Sequence, residues 1–161
     1  LTTVTMPKVT EIGIGAFLNT ALVSVSMPNV TTISPGAFYD CTALESVTMP
    51  LVETIGQQAF EGCTKLTTVT MPKVTEIGEG AFLNTALESV TMPKVTEIGE
   101  GAFDGTLISI MVLNNILRIN ELKSVLESFK NCSCGNAMLS SCSEESIENI
   151  VNYTKRLNKC T

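Results

Sequence analysis

Six cysteines and no histidine set the first limit on the chemistry open to this 161-residue chain. The side chain that titrates near neutrality, and that most often serves as general base or metal ligand, is missing. Cys132, Cys134, Cys142 and Cys160 fall together near the C-terminus. Their spacing, C-x-C…C…C, lacks the paired C-x-x-C of a zinc site, and no histidine is present to complete one. Two disulfides within this segment are expected, with a bound metal or free or intermolecular thiols as the alternatives. Four cysteines allow three pairings, so the connectivity stays open. Cys41 and Cys63 lie outside the segment. Buried thiols filling a small hole are expected there. An inter-coil disulfide is the alternative, because a strand spacing of about 4.8 Å lies within bonding range.

Carboxylates are numerous, but they do not form a catalytic arrangement. Glu11, Glu76 and Glu97 make one column, and Lys8, Lys73 and Lys94 a parallel column three residues earlier. A solvated surface with weak Lys–Glu pairs is expected of them, against the alternative of a charged recognition strip. No nucleophile elbow, phosphate-binding loop or dinucleotide fingerprint occurs, so the sequence supports no enzyme, no cofactor and no metal. Hydroxyls are arranged more regularly: Thr3 and Thr5, Ser24 and Ser26, Ser46 and Thr48, Thr68 and Thr70, and Ser89 and Thr91 each flank a valine. Three N-x-[S/T] acceptor sequences, at Asn29, Asn131 and Asn152, are candidate glycosylation sites if the source is eukaryotic.

These residues are positioned by a repeat. VTMPKVTEIGEGAF occurs at 69–82 and again at 90–103, and residues 4–17 carry the same string with Ile14 in place of Glu79. Met-Pro pairs begin at Met6, Met27, Met49, Met71 and Met92, and Phe17, Phe38, Phe60, Phe82 and Phe103 keep the same interval. A unit of 21 or 22 residues cannot close a core by itself, so successive units must stack. Alternation through valine and methionine predicts a short strand with both side chains inward, which proline then ends. Glycines after the isoleucine permit a turn with positive φ. Leu, Val, Met, Val, Ile, Ala and Phe form seven apolar columns, with the phenylalanines as an inner spine.

The pattern L-x-x-V-x-M-P-x-V-x-x-I-G-x-x-A-F, with Gly62-Cys63-Thr64 and Leu66 following, resembles the BspA-like (Treponema-type) leucine-rich repeats. The resemblance covers residues 1–112, five full repeats and the start of a sixth at Leu107, Ile110 and Val112. It implies a parallel β solenoid with strands on one face and irregular turns on the other. It also implies surface or secreted proteins used in adhesion and recognition.

After Leu113 the interval is lost. Ile116, Ile119, Leu122, Val125, Leu126 and Phe129 recur at helical spacing, and Ile147, Ile150, Val151, Thr154 and Leu157 form a second stripe. Ser143, Glu144 and Glu145 have the composition of a helix start. A two-helix, cysteine-rich cap over residues 113–161 is expected to close one end of the solenoid, giving an α+β repeat protein.

Net charge is −6 overall, and residues 1–106 alone carry −7, from four lysines against eleven acids. An acidic body without a basic stripe makes nucleic acid a poor partner and argues against anionic membranes, so no nucleic acid and no membrane insertion are expected. No apolar run is long enough for a membrane-spanning helix. The chain opens mid-repeat without a secretory leader, as a processed or truncated product would. Dense cysteine in a small end segment fits an extracellular or cell-surface setting. The expected function is recognition of a protein or glycan through the Ser/Thr strand face. The rival is a structural subunit that joins other copies of itself head to tail into filaments, and a lesser one is an ice-binding T-x-T array.

Overall fold

The computed structural model describes residues 2–107 and, as backbone, 110–112. Among these residues eleven short strands alternate between two sets. The first set is β1 (Thr3–Thr5), β3 (Ser24–Ser26), β5 (Ser46–Thr48), β7 (Thr68–Thr70), β9 (Ser89–Thr91) and β11 (Ile110–Val112). The second is β2 (Glu11–Ile12), β4 (Thr32–Ile33), β6 (Thr54–Ile55), β8 (Glu76–Ile77) and β10 (Glu97–Ile98). All pairings among the described residues are parallel and join successive coils, so this part of the chain is a solenoid.

The back of the coil is more regular than irregular turns would be. β2, β4, β6, β8 and β10 form a continuous five-stranded sheet. Beyond it, alternate amides form a third ladder, from Phe17 N to the Ala37 carbonyl at 2.8 Å and from Asn19 N to the Tyr39 carbonyl at 2.7 Å. The intervening amides bond three residues back, as Leu18 N does to Gly15. Each coil therefore satisfies its backbone on three sides without long strands.

The two glycine columns do different work. Gly15, Gly36, Gly80 and Gly101 take φ between 58° and 62°, as expected for a left-handed turn. Gly56 and Gly78 have no such φ and are needed for approach: a Cβ on either would lie 2.5 Å from a backbone nitrogen of the preceding coil. A second left-handed position follows each phenylalanine by two residues, at Asn19, Asp40, Gly62, Asn84 and Gly105.

All seven predicted columns point inward, with Leu44, Val47, Met49, Val52, Ala59 and Phe60 fully buried. Neighbouring phenylalanine rings stack 5.1–5.3 Å apart from Phe17 to Phe103, with interplanar angles of 2–11°. That offset parallel packing adds to the area each ring buries.

Two details of the sixth repeat and the strand face differ from expectation. In the β9–β11 register Met111, not Ile110, stands opposite Val90, while Ile110 and Val112 stand opposite Ser89 and Thr91. Leu107 N still bonds the Leu87 carbonyl, so the strand pairs one residue later than the repeat spacing predicts. The strand face is also not a single ladder: β1-β3-β5-β7 form one sheet and β9–β11 another. No helix occurs among the described residues, and the helices expected over 113–161 lie outside them.

Candidate functional site

The strand face places the predicted hydroxyls in two columns. Thr3, Ser24, Ser46 and Thr68 stand opposite one another in register, as do Thr5, Ser26, Thr48 and Thr70. Ser89 and Thr91 continue the same repeat positions on the neighbouring two-stranded sheet. Strand spacing of about 4.8 Å and an i, i+2 spacing of about 6.6 Å make a grid of hydroxyls. Its members are exposed, except for the half-buried Ser24, Ser26 and Ser46. Thr3 Oγ1 and Ser24 Oγ share a hydrogen bond of 3.1 Å across coils. The grid is uncharged and can exchange many weak polar contacts with a ligand, but it holds no group suited to bond-making chemistry.

Both charged columns follow the Met-Pro corner, the lysines directly and the glutamates three residues later. Lys8, Lys73 and Lys94 lie past the end of the first strand set, whereas Glu11, Glu76 and Glu97 stand on the second sheet. The two columns thus belong to successive parts of each coil, the lysines to the turn and the glutamates to the second sheet. Glu76 and Glu97 are in direct register. With Thr54, Gly78 and Gly99 they line a shallow groove of about 330 Å³ on the second sheet.

Inside the coil lies an eighth column that sequence reasoning only half found. Thr20, Cys41, Cys63, Thr85 and Thr106 each follow a spine phenylalanine by three residues, and that spacing is the signal that would have revealed it. Cys41 and Cys63 are thiols with no exposed surface, as expected. Cys41 Sγ donates to the Phe17 carbonyl at 2.9 Å and Cys63 Sγ to the Phe38 carbonyl at 3.1 Å. Thr20 Oγ1 lies 3.3 Å from Cys41 Sγ. The neighbouring Cys63 thiol pulls the Cys41 pKa from 9.0 down to about 6, against the effect of burial. The same pairing, with burial, pushes Cys63 upward. Thr106 Oγ1 donates to the Phe103 carbonyl at 2.7 Å. The hydroxyl of Thr85 is buried without a partner.

Asn29 is exposed, and its side-chain amide donates to the Pro7 carbonyl at 2.6 Å. Asn131, Asn152, Cys132, Cys134, Cys142 and Cys160 lie outside the described residues.

A parallel solenoid with one three-residue strand per coil along one side and a spine of stacked phenylalanines has the leucine-rich-repeat architecture. The description of the BspA type leucine rich repeat region, in six copies, matches residues 1–109, and the chain belongs to that family. Among solved structures it is similar to a leucine-rich repeat protein from Bacteroides ovatus, at 27% identity and a TM-score of 0.64. It is also similar to a leucine rich cell surface protein from Faecalibacterium prausnitzii, at 34% identity and a TM-score of 0.56. Both similarities cover 69% of this chain but only 33% and 38% of those proteins, which are longer. No curated protein matches the chain.

Proposed function

We propose that the protein is a non-enzymatic recognition module of a cell-surface or extracellular protein, and that it binds protein or glycan through the Ser/Thr columns of its strand face. The observation that carries this reading is the in-register double column from Thr3 and Thr5 to Thr68 and Thr70, with Ser89 and Thr91 beyond. Family membership and the likeness to a Faecalibacterium cell surface protein support the location. A grid without Trp, Tyr or Arg lacks the usual anchors of a tight interface. Each contact is therefore weak, and affinity depends on many copies displayed together. In this reading residues 1–112 are the recognition solenoid. Residues 113–161 form a helical cap tied by Cys132, Cys134, Cys142 and Cys160, and Asn29, Asn131 and Asn152 accept glycans in a eukaryotic source.

The test is a glycan and extracellular-protein array probed with a tetramerised form. Wild type, the triple variant Thr48→Lys, Thr70→Lys, Thr91→Lys, and a second-sheet control, Thr32→Lys with Thr54→Lys, are compared. Signals kept by the control and lost by the triple variant support the reading. Signals that survive in the triple variant, or none with wild type, count against it.

A second reading, end-to-end self-association, rests on coil 1. Residues 1–21 and 66–86 are identical except for Ile14 and Glu79. Met6 is 36% exposed where Met71 is 1% exposed, and Phe17 is half-buried where Phe82 is fully buried. The difference is the coil that covers the later copy. A coil supplied by another copy of the chain would cover the first in the same way as one supplied by preceding sequence. A concentration-independent monomer mass in light scattering would exclude this.

A further inference from the structure

The Cys41–Cys63 pair is the strongest feature that recognition leaves unused. The two residues sit at equivalent positions of adjacent coils. Each amide bonds the carbonyl three residues back at 3.2 Å, and each thiol aims at the spine carbonyl of the coil before. One cysteine is thus the other displaced by a coil. Coil spacing of about 4.8 Å puts their Cα atoms inside the disulfide range of about 4.4–6.8 Å. Turning the thiols from the spine carbonyls toward each other, with a small approach of the two coils, would bring the sulfurs together. Nothing else in the column competes for bonding to sulfur, since its other members are threonines. Access is graded. Thr85, Thr106 and both cysteines are buried, whereas Thr20, against Cys41, is half-exposed at the coil-1 end.

We propose that Cys41 and Cys63 are an oxidation site, a dithiol that a peroxide converts into an inter-coil disulfide, with Cys41 attacked first and Cys63 resolving. In the first step the Cys41 sulfur bonds one oxygen of hydrogen peroxide as the O–O bond breaks. The leaving hydroxide takes the thiol proton and departs as water, and Cys41 becomes a sulfenic acid. In the second, the Cys63 sulfur bonds the Cys41 sulfur as the S–O bond breaks, and the hydroxyl leaves with the Cys63 proton as a second water. Two thiols and one peroxide give one disulfide and two waters. The order follows from the Thr20 hydroxyl, 3.3 Å from Cys41 Sγ, which can hydrogen-bond a Cys41 thiolate. The product closes coil 2 onto coil 3 and constrains the unfolded chain, raising the unfolding midpoint of the oxidised protein.

The test treats the full chain with hydrogen peroxide, alkylates remaining thiols in denaturant, and maps peptides after cleavage at glutamate. Cuts at Glu45, Glu53 and Glu61 separate the two cysteines. Exposed Met6 serves as the internal record that peroxide reached the protein. The expected result is a linked Cys41–Cys63 peptide pair and loss of two alkylatable thiols per chain. In Cys63→Ser, dimedone should trap a sulfenic acid on Cys41, whereas in Cys41→Ser Cys63 should stay reduced. Oxidised Met6 with both thiols intact would overturn the proposal. So would disulfides from either residue to Cys132, Cys134, Cys142 or Cys160, or over-oxidation of each without linkage.

Discussion

At the scale of single residues, two positions depart from what their coil requires. Gln58 has φ of 54° in the column that elsewhere holds Gly15, Gly36, Gly80 and Gly101. An L side chain in the left-handed region costs about 1–2 kcal/mol, so Gln58→Gly should raise stability by about 1 kcal/mol in urea unfolding. Thr85 buries a hydroxyl without a partner, whereas Thr106, one coil on, donates to Phe103. An unsatisfied buried group costs about 1–3 kcal/mol. Thr85→Val should therefore stabilise the fold, and Thr106→Val should destabilise it by about 1 kcal/mol. The same sign for both would mean that hydrogen bonding does not separate the two sites. The thiol pair adds a pH dependence. Between pH 6 and 9.0 the unfolded chain binds more protons at Cys41 than the folded one, so stability rises with pH across that window. Above it, Cys63 keeps a proton that the unfolded chain has lost, and stability falls. Unfolding midpoints of Cys63→Ala should be flatter across both ranges.

At the scale of the element, the spine carries the stack. Phe60 is fully buried and stacked on both sides, at 5.1 Å on Phe38 and 5.3 Å on Phe82. Phe60→Ala should cost about 3–5 kcal/mol. Phe17→Ala should cost clearly less, because Phe17 is half-buried and has a neighbour on one side only. Much of this element was legible beforehand. Identical coils stacked in register put identical letters in identical columns, so the recurrence of Leu, Val, Met, Ile, Ala and Phe reveals the core directly. The second sheet was not legible. Its strands are two residues long, too short for period-2 alternation to register. The third ladder was hidden for a related reason, since its hydrogen bonds come from alternating amides and glycine turns rather than from any side-chain pattern. The role of Gly56 and Gly78 is likewise visible only when the preceding coil is in place.

At the scale of the whole molecule, the stack separates a neutral hydroxyl face from an acidic one. The hydroxyl columns were legible because Thr-Val-Thr and Ser-Val-Ser recur at the coil interval. The division of that face after β7 was not, because every coil writes its strand in nearly the same letters. Threonines stand on both sides of the stack, which makes the assignment of function to one face measurable. Thr5, Thr48, Thr70 and Thr91 belong to the strand face, and Thr32 and Thr54 to the second sheet. The decisive measurement is threonine-methyl NMR of the protein titrated with the array's strongest protein or glycan. The predicted result is shift changes at Thr48, Thr70 and Thr91, with Thr32 and Thr54 unmoved. Changes confined to Thr32 and Thr54 would place recognition on the acidic groove and contradict the strand-face account.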